Sequence, residues 1–235
     1  MKYADALALI QCRAGCAQMA LHMTGTKRHA LGKQNENEHK EHDMPAVFLV
    51  SDTHFGHVGV CRFTHPDDDN VKLRPWDDPA EMDEEMIRRW NDRVRPSDKV
   101  YHLGDVVINR RALPTMARLN GDKVLIRGNH DIFRDDEYRQ YFRELRAYHV
   151  MNGVIFSHIP IHPESLGRFG VNIHGHLHAS RVKKDGAVDV RYHCVCVEQT
   201  DFAPILLDDV YRRIQAEGGE IGFKNGNFKT QHHVD

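Results

Sequence analysis

A single α/β domain built on a largely parallel sheet is the fold class the sequence predicts, and three observations predict it. The chain has 235 residues, enough for one good-sized core and short for two. Brief, continuous apolar runs recur along it, as expected of strands buried on both faces. Amphipathic helical patterns alternate with those runs, which is the βαβ rhythm of a parallel sheet.

The first 43 residues stand apart. Residues 4–19 are apolar enough for a short amphipathic helix, but Asp5, Gln11 and Arg13 interrupt them and argue against an export signal. Residues 24–43 are polar and aperiodic, the signature of a linker. The expected organisation is therefore a dispensable extension over 1–43, a domain over 44–217 and a tail over 218–235.

Residues 46–50 form the first apolar run, ending in Ser51-Asp52. Four more runs repeat the pattern: 99–103 lead into Gly104-Asp105, 123–126 into Gly128-Asn129-His130-Asp131, 154–156 into Ser157-His158, and 171–173 into His174-Gly175-His176. Each predicted strand ends where polar, metal-competent side chains begin, the place where open α/β sheets carry their sites. Between them, 79–94 reads as a helix capped by Asp78, with Pro79 and Glu81 in its first turn and Met82, Met86, Ile87, Trp90 and Val94 on one stripe. A second helix runs through Leu113, Met116 and Leu119 to Gly121, and Tyr138, Phe142 and Leu145 mark a third. Residues 188–197 alternate like a mixed strand, and a last helix opens at Asp208 or Asp209 and stops at Gly218-Gly219. The tail from Phe223, with His232 and His233, reads as a solvated end.

Composition narrows the function. Apolar residues at 40%, charged residues at 28% and a formal charge of −2 leave no global basic footprint for nucleic acid. The five cysteines are odd in number and lack paired CxxC spacing, so disulfides and a thiolate zinc site are not expected, and Cys194 and Cys196 read as small buried hydrophobes. No apolar run approaches the ~20 residues that span a bilayer, and the expected compartment is the cytoplasm. Histidine is the departure, with 18 copies, and neutral imidazole is the commonest metal ligand.

Taken singly, Asp52-x-His54 or Gly104-Asp105 carries little weight. Their order carries more: Asp-x-His, Gly-Asp, Gly-Asn-His-Asp, a lone His158 and Gly-His176-x-His178 bring carboxylates, imidazoles and an amide to one sheet edge that could hold two cations. With these blocks the sequence resembles the calcineurin-like metallophosphoesterase superfamily, in particular small bacterial and phage-borne phosphoesterases whose first strand ends in a segment like Ser51-Asp-Thr-His-Phe-Gly-His57. The resemblance spans about residues 47–200.

It implies a four-layer α/β/β/α sandwich. It also implies a hydrolase for a phosphomonoester or phosphodiester, with Asp52, His54, Asp105 and His178 on one metal and Asp105, Asn129, His158 and His176 on the other. Asp105 would bridge two divalent ions, manganese ahead of iron, zinc or nickel, that acidify a shared water for in-line attack. His130 is the implied proton donor to the leaving group. Many relatives support that histidine with an acid at the position of Ile108, so Asp131 or another carboxylate would have to orient it here.

Beyond the motif residues, His57 could touch the substrate or hold a ligand from behind, and Arg127 could meet a phosphate oxygen or form a structural ion pair. His162, His174 and His193 default to structural roles. Arg110 and Arg111 read as a solvated helix start. The segment 61–77 could cap the site or be a plain surface turn. A protein phosphatase is disfavoured because Gly104-Asp105 is not followed by Asp-Arg-Gly and the third block ends in Asp131 rather than Glu. A nuclease or cyclic-nucleotide phosphodiesterase of the same fold is the alternative enzyme. A scaffold that has lost its metals is the alternative of another class, although every ligand position is filled. The expected partner is a phosphate-ester small molecule or nucleotide, with no membrane role.

Overall fold

A computed structural model of the chain describes residues 44–222. The extension over 1–43 and the tail from Phe223, with His232 and His233, lie outside the described residues. In chain order the elements are β1 (Val47–Val50), β2 (Thr64–His65), β3 (Asp68–Lys72), α1 (Pro79–Arg93), β4 (Lys99–His102), β5 (Asp122–Ile126), α2 (Asp135–Tyr138), β6 (Glu144–Arg146), β7 (His149–Met151), β8 (Val154–Ser157), β9 (Val171–His174), β10 (Lys183–Lys184), β11 (Ala187–Val188), β12 (Tyr192–Cys194), β13 (Ile205–Leu206) and α3 (Leu207–Ala216).

Two sheets result. The first has the order β13-β1-β4-β5-β6, parallel except for β13, and the second the order β12-β9-β8-β7, parallel except for β7. Their apolar runs divide by the period of two that a strand imposes. Leu49, Tyr101, Leu103, Val124 and Ile126 face Val154, Phe156, Val171 and Ile173 across the inter-sheet core. The residues between them, Phe48, Val50, Val100 and Leu125, point the other way onto Met82, Met86 and Trp90 of α1. The outer face of the second sheet packs Ile155 against Leu166, Phe169 and Tyr192, where the cover is a 3-10 turn over Pro163–Leu166. The α/β sandwich therefore follows from strands that are apolar on both faces.

The longest helix forms as its sequence dictates. The Asp78 carboxylate accepts from the Ala80 N–H at 2.9 Å, Pro79 takes the first helical position, and Met82, Met86, Ile87 and Trp90 are buried along one stripe. Trp90 also donates its indole N–H to the Asn120 carbonyl at 3.0 Å.

Three expectations are corrected. The segment Arg110–Arg118 is a 3-10 helix, not an α-helix, because Pro114 lies inside it and proline has no N–H for the i−4 carbonyl. The predicted third helix stops at Tyr138, and Leu145 instead lies in β6, opposite Leu125 of β5; strand pairing along the edge of the sheet overrides a weak helical spacing. The alternating run 188–197 is split, since β11 pairs with β10 and β12 with β9, and an Asp189–Arg191 ion pair of 2.6 Å sits in the turn between them. Segment 61–77 holds the exposed β2–β3 hairpin and then turns inward at Arg74 and Trp76, both buried. No helix among the described residues is long and apolar enough to cross a membrane.

Trp90 is 1% exposed, so Trp90→Ala should destabilise the domain by about 3–5 kcal/mol through the cavity it leaves, measured as a lower urea midpoint with an unchanged m-value.

Candidate metal centre

The loops after β1, β4, β5, β8 and β9 meet at one edge, and their backbone is unusual there. Asp52, His54, Asp105, His176 and His178 all have positive φ, between 49° and 70°. L-residues avoid this left-handed region, and each such residue costs on the order of 1 kcal/mol or more. The reversal turns the side chains out of the strand direction and gathers them.

Neighbouring loops hold these turns. The loop after β1 continues to pair with the loop after β4, through Asp52 N–H to the Gly104 carbonyl at 3.0 Å, His54 N–H to the Asp105 carbonyl at 3.1 Å and Phe55 N–H to the Val106 carbonyl at 3.0 Å. His102 ties the same loops together. Its Nδ1 accepts from the Gly104 N–H at 3.2 Å, its Nε2 meets Thr53 Oγ1 at 3.0 Å, and Thr53 donates to the Val106 carbonyl at 3.0 Å.

Asp131 is the second pin, its carboxylate accepting from the Asp105 N–H at 2.8 Å, the Val106 N–H at 3.0 Å and the Gly128 N–H at 2.8 Å. Burial outweighs those bonds and raises its pKa. The glycines of the motif blocks are needed for closeness: a Cβ on Gly128 would lie 2.2 Å from Asp105 Oδ1, and one on Gly175 would lie 2.0 Å from Ser51 Oγ.

Two sets of donors result, Asp52 with His54 and His178, and Asp105 with His158 and His176, the atoms of each set lying within 4.8 Å of one another. Asp52 Oδ2 is saturated, accepting from Ser51 Oγ at 2.6 Å and the His176 N–H at 2.8 Å, with Cys196 Sγ at 3.1 Å. Its Oδ1 is buried with no hydrogen-bond partner, 3.7 Å from His54 Nε2 and 3.9 Å from His178 Nε2. A buried carboxylate oxygen left without a donor beside two imidazole nitrogens fits a cation.

In the other set, Asp105 Oδ2 lies 3.4 Å from His158 Nε2 and 3.8 Å from His54 Nε2, between the two groups. Asn129 Oδ1 lies 2.9 Å and His176 Nδ1 3.3 Å from His158 Nε2, while His158 Nδ1 faces the Leu103 carbonyl at 2.8 Å. Burial opposes ionisation of Asp52, but the adjacent His54 imidazole and the charges of His158 and His178 hold its carboxyl far below the usual range. Asp105 is lowered in the same way, burial being outweighed by the bond to and charge of His158. Both carboxylates are thus anions ready to ligate.

The remaining candidates divide. His130 is exposed; its N–H donates to Asp105 Oδ1 at 2.8 Å, and its ring lies 5.7 Å from that of His54, edge to face. Asp131, engaged with backbone amides, does not orient it. His57 caps the short turn Val58–Cys61 by accepting the Val60 N–H at 3.1 Å, with its ring 5.8 Å from that of His54. Burial, then the neighbouring His54, push its pKa down to about 4.

Arg127 is taken up by Asp135 at 2.7 Å, by the Phe133 carbonyl and by the Tyr138 ring, the structural ion pair of the two roles expected for it. Arg110 pairs with Glu137 at 3.0 Å. His162 caps a turn, His193 meets the Val190 carbonyl at 3.0 Å, and His174 is buried against the Gly175 carbonyl.

Sequence reasoning missed Arg74 and Glu198, which lie behind the first donor set: Glu198 Oε1 is 3.0 Å from His178 Nδ1 and 2.7 Å from Arg74 Nη2. An acid directly after the apolar alternation Cys194-Val-Cys-Val was the one available signal for Glu198. Arg74 left none, since its partners are distant in the sequence.

Carboxylate, imidazole and amide donors gathered at the strand ends of an α/β sandwich can hold divalent metal ions. The family model for calcineurin-like phosphoesterases matches residues 46–225, and the chain belongs to that family. It is 32% identical over 178 residues to the uncharacterized protein MJ1445 of Methanocaldococcus jannaschii, covering 73% of this chain and 93% of that protein. Among solved structures it is similar to the protein of unknown function AQ665 from Aquifex aeolicus, with a TM-score of 0.54 and 24% identity, covering 72% of this chain and all of that one, a likeness of fold.

His102 is fully buried and its pKa is pushed down to about 3, chiefly by desolvation. The unfolded chain then binds a proton near pH 6.5 that the folded state refuses. Stability is therefore full above pH 6.5 and lost as pH falls toward 3, with a slope of up to about 1.4 kcal/mol per pH unit from this group. In the metal-stripped protein, His102→Gln should flatten the pH dependence of urea unfolding between pH 6 and 4; an unchanged slope would refute the assignment.

Proposed function

We propose that the chain hydrolyses a phosphomonoester or phosphodiester at a two-cation centre. Asp52, His54 and His178 would hold one ion, Asn129, His158 and His176 the other, and Asp105 would reach both. The observation that carries this reading is the place of Asp105 Oδ2, within 4 Å of an imidazole nitrogen of each set. A shared carboxylate offsets the repulsion between adjacent cations, and the mixture of oxygen and imidazole donors favours manganese, with iron, zinc or nickel as alternatives. When bound, such ions lower the pKa of water toward neutrality and stabilise charge on the phosphoryl oxygens.

The chain's own residues do the rest. The pinned turns hold the donors in place before substrate arrives, so little reorganisation accompanies the reaction. His130, exposed and tethered through its N–H to Asp105, would give a proton to a departing alkoxide. His57 accepts the Val60 N–H at Nδ1, so its proton sits on Nε2 as a neutral donor for a phosphoryl oxygen. The absence of a basic footprint supports a small-molecule or nucleotide ester over a long nucleic acid. The complete donor sets support an enzyme over a scaffold.

The test is hydrolysis of p-nitrophenyl phosphate and bis-p-nitrophenyl phosphate by metal-stripped protein with Mn²⁺, Ni²⁺, Zn²⁺ or Mg²⁺ restored. Asp105→Asn should cut metal-restored turnover by at least about 10²-fold; full turnover in that variant would refute the shared-carboxylate role. His130→Ala should keep its metal content and slow alkyl esters, which have poor leaving groups, more than nitrophenyl esters. Equal losses on both ester types would remove the proton-donor role.

A further inference from the structure

Arg74 and Glu198 belong to neither donor set, yet they form an ion pair shut away from water, with side chains 0% and 2% exposed. Desolvating two charges offsets most of what their attraction returns, so such a pair is a poor way to stabilise a fold. Its contacts point elsewhere. Arg74 Nη2 donates to the Asp52 carbonyl at 2.6 Å and Nη1 to the Thr53 carbonyl at 2.8 Å, while Nε donates to Glu198 Oε1 at 2.8 Å. That same Oε1 lies 3.0 Å from His178 Nδ1.

We infer that Arg74 and Glu198 are positioning residues that assemble the Asp52, His54 and His178 cation site selectively. Glu198 draws the ring proton of His178 to Nδ1, which leaves the lone pair on Nε2, the nitrogen that faces Asp52 Oδ1. Arg74 neutralises Glu198 and, with the same planar fork, grips the two consecutive carbonyls between the left-handed residues Asp52 and His54. One guanidinium therefore fixes the turn that presents two donors and the acid that aims the third. The other set has its own supports: the Leu103 carbonyl aims His158, and Asp131 pins the Asp105 loop. The two sites should accordingly respond differently to loss of the pair. This inference rests on the two-cation reading above.

The experiment is calorimetric titration of metal-stripped full-length protein with Mn²⁺. Wild type should show two binding events. Glu198→Gln, and the double variant Arg74→Met/Glu198→Gln, which leaves no unpaired buried charge and should fold, should weaken one event about 10–100-fold and leave the other within twofold. His178→Ala identifies the affected event as that of its own set.

A folded double variant with both events unchanged, or with both weakened alike, would overturn the inference and leave the two-cation reading standing. A wild-type protein that takes up fewer than two Mn²⁺ would overturn that reading and the inference with it. A measurement without mutation is independent of these: nitrogen NMR of the metal-free wild type at alkaline pH should find His178 protonated at Nδ1, and a proton at Nε2 would refute the role of Glu198.

Discussion

Left-handed backbone at Asp52, His54, Asp105, His176 and His178 is the constraint on which the rest of the site depends. A strand sends successive side chains to opposite faces, so a donor at its end would ordinarily point into a sheet face. A positive φ breaks that alternation and turns the side chain toward the edge. Such a turn is unfavourable alone and persists only where the surroundings determine it. Here they do, because the loop after β1 is hydrogen-bonded to the loop after β4 and Asp131 gathers three amides from the loops after β4 and β5. The sandwich supplies the base, since the strands that end at the site are packed on both faces.

Much of this was legible in the sequence because each strand was marked twice, by an apolar run and by the polar block that follows it. The double mark places β1, β4, β5, β8 and β9, and α1 is equally plain from its cap and stripe. The elements read wrongly had only one mark. Leu145 continued a helical spacing from Tyr138 and Phe142, but the edge of β5 offered a ladder of backbone bonds that no local pattern reveals. Pro114 turned a helical pattern into a 3-10 segment. Arg74 and Glu198 are separated by 124 residues, and a lone arginine in a polar loop looks like any solvated charge until the fold buries it.

Ile108 marks a local departure from the pattern that the resemblance implies. The resemblance implies an acid there to support the histidine proposed as proton donor. In this chain Asp131, the nearest acid to His130 in sequence, is spent on backbone amides. His130 is therefore held through its main chain, by the bond from its N–H to Asp105, while its ring rests edge-on against His54 at 5.7 Å. Among the described residues, no carboxylate side chain pairs with that ring.

Charge placement around the opening carries the argument to the substrate. Arg127 and Arg110, the cations nearest in sequence to the Gly-Asn-His-Asp and Gly-Asp blocks, are held by Asp135 and Glu137. Arg74 is buried behind the donors. On the reading proposed above, attraction for an anionic ester would come chiefly from ions held by the donor sets and from imidazole N–H groups. Directly after motif histidines stand Val58 and Ile159, and Ile132 follows His130 by two positions, all three exposed. On the two-cation reading proposed above, the phosphoryl group is common to every ester, so discrimination among esters would fall to side chains around the donors such as these.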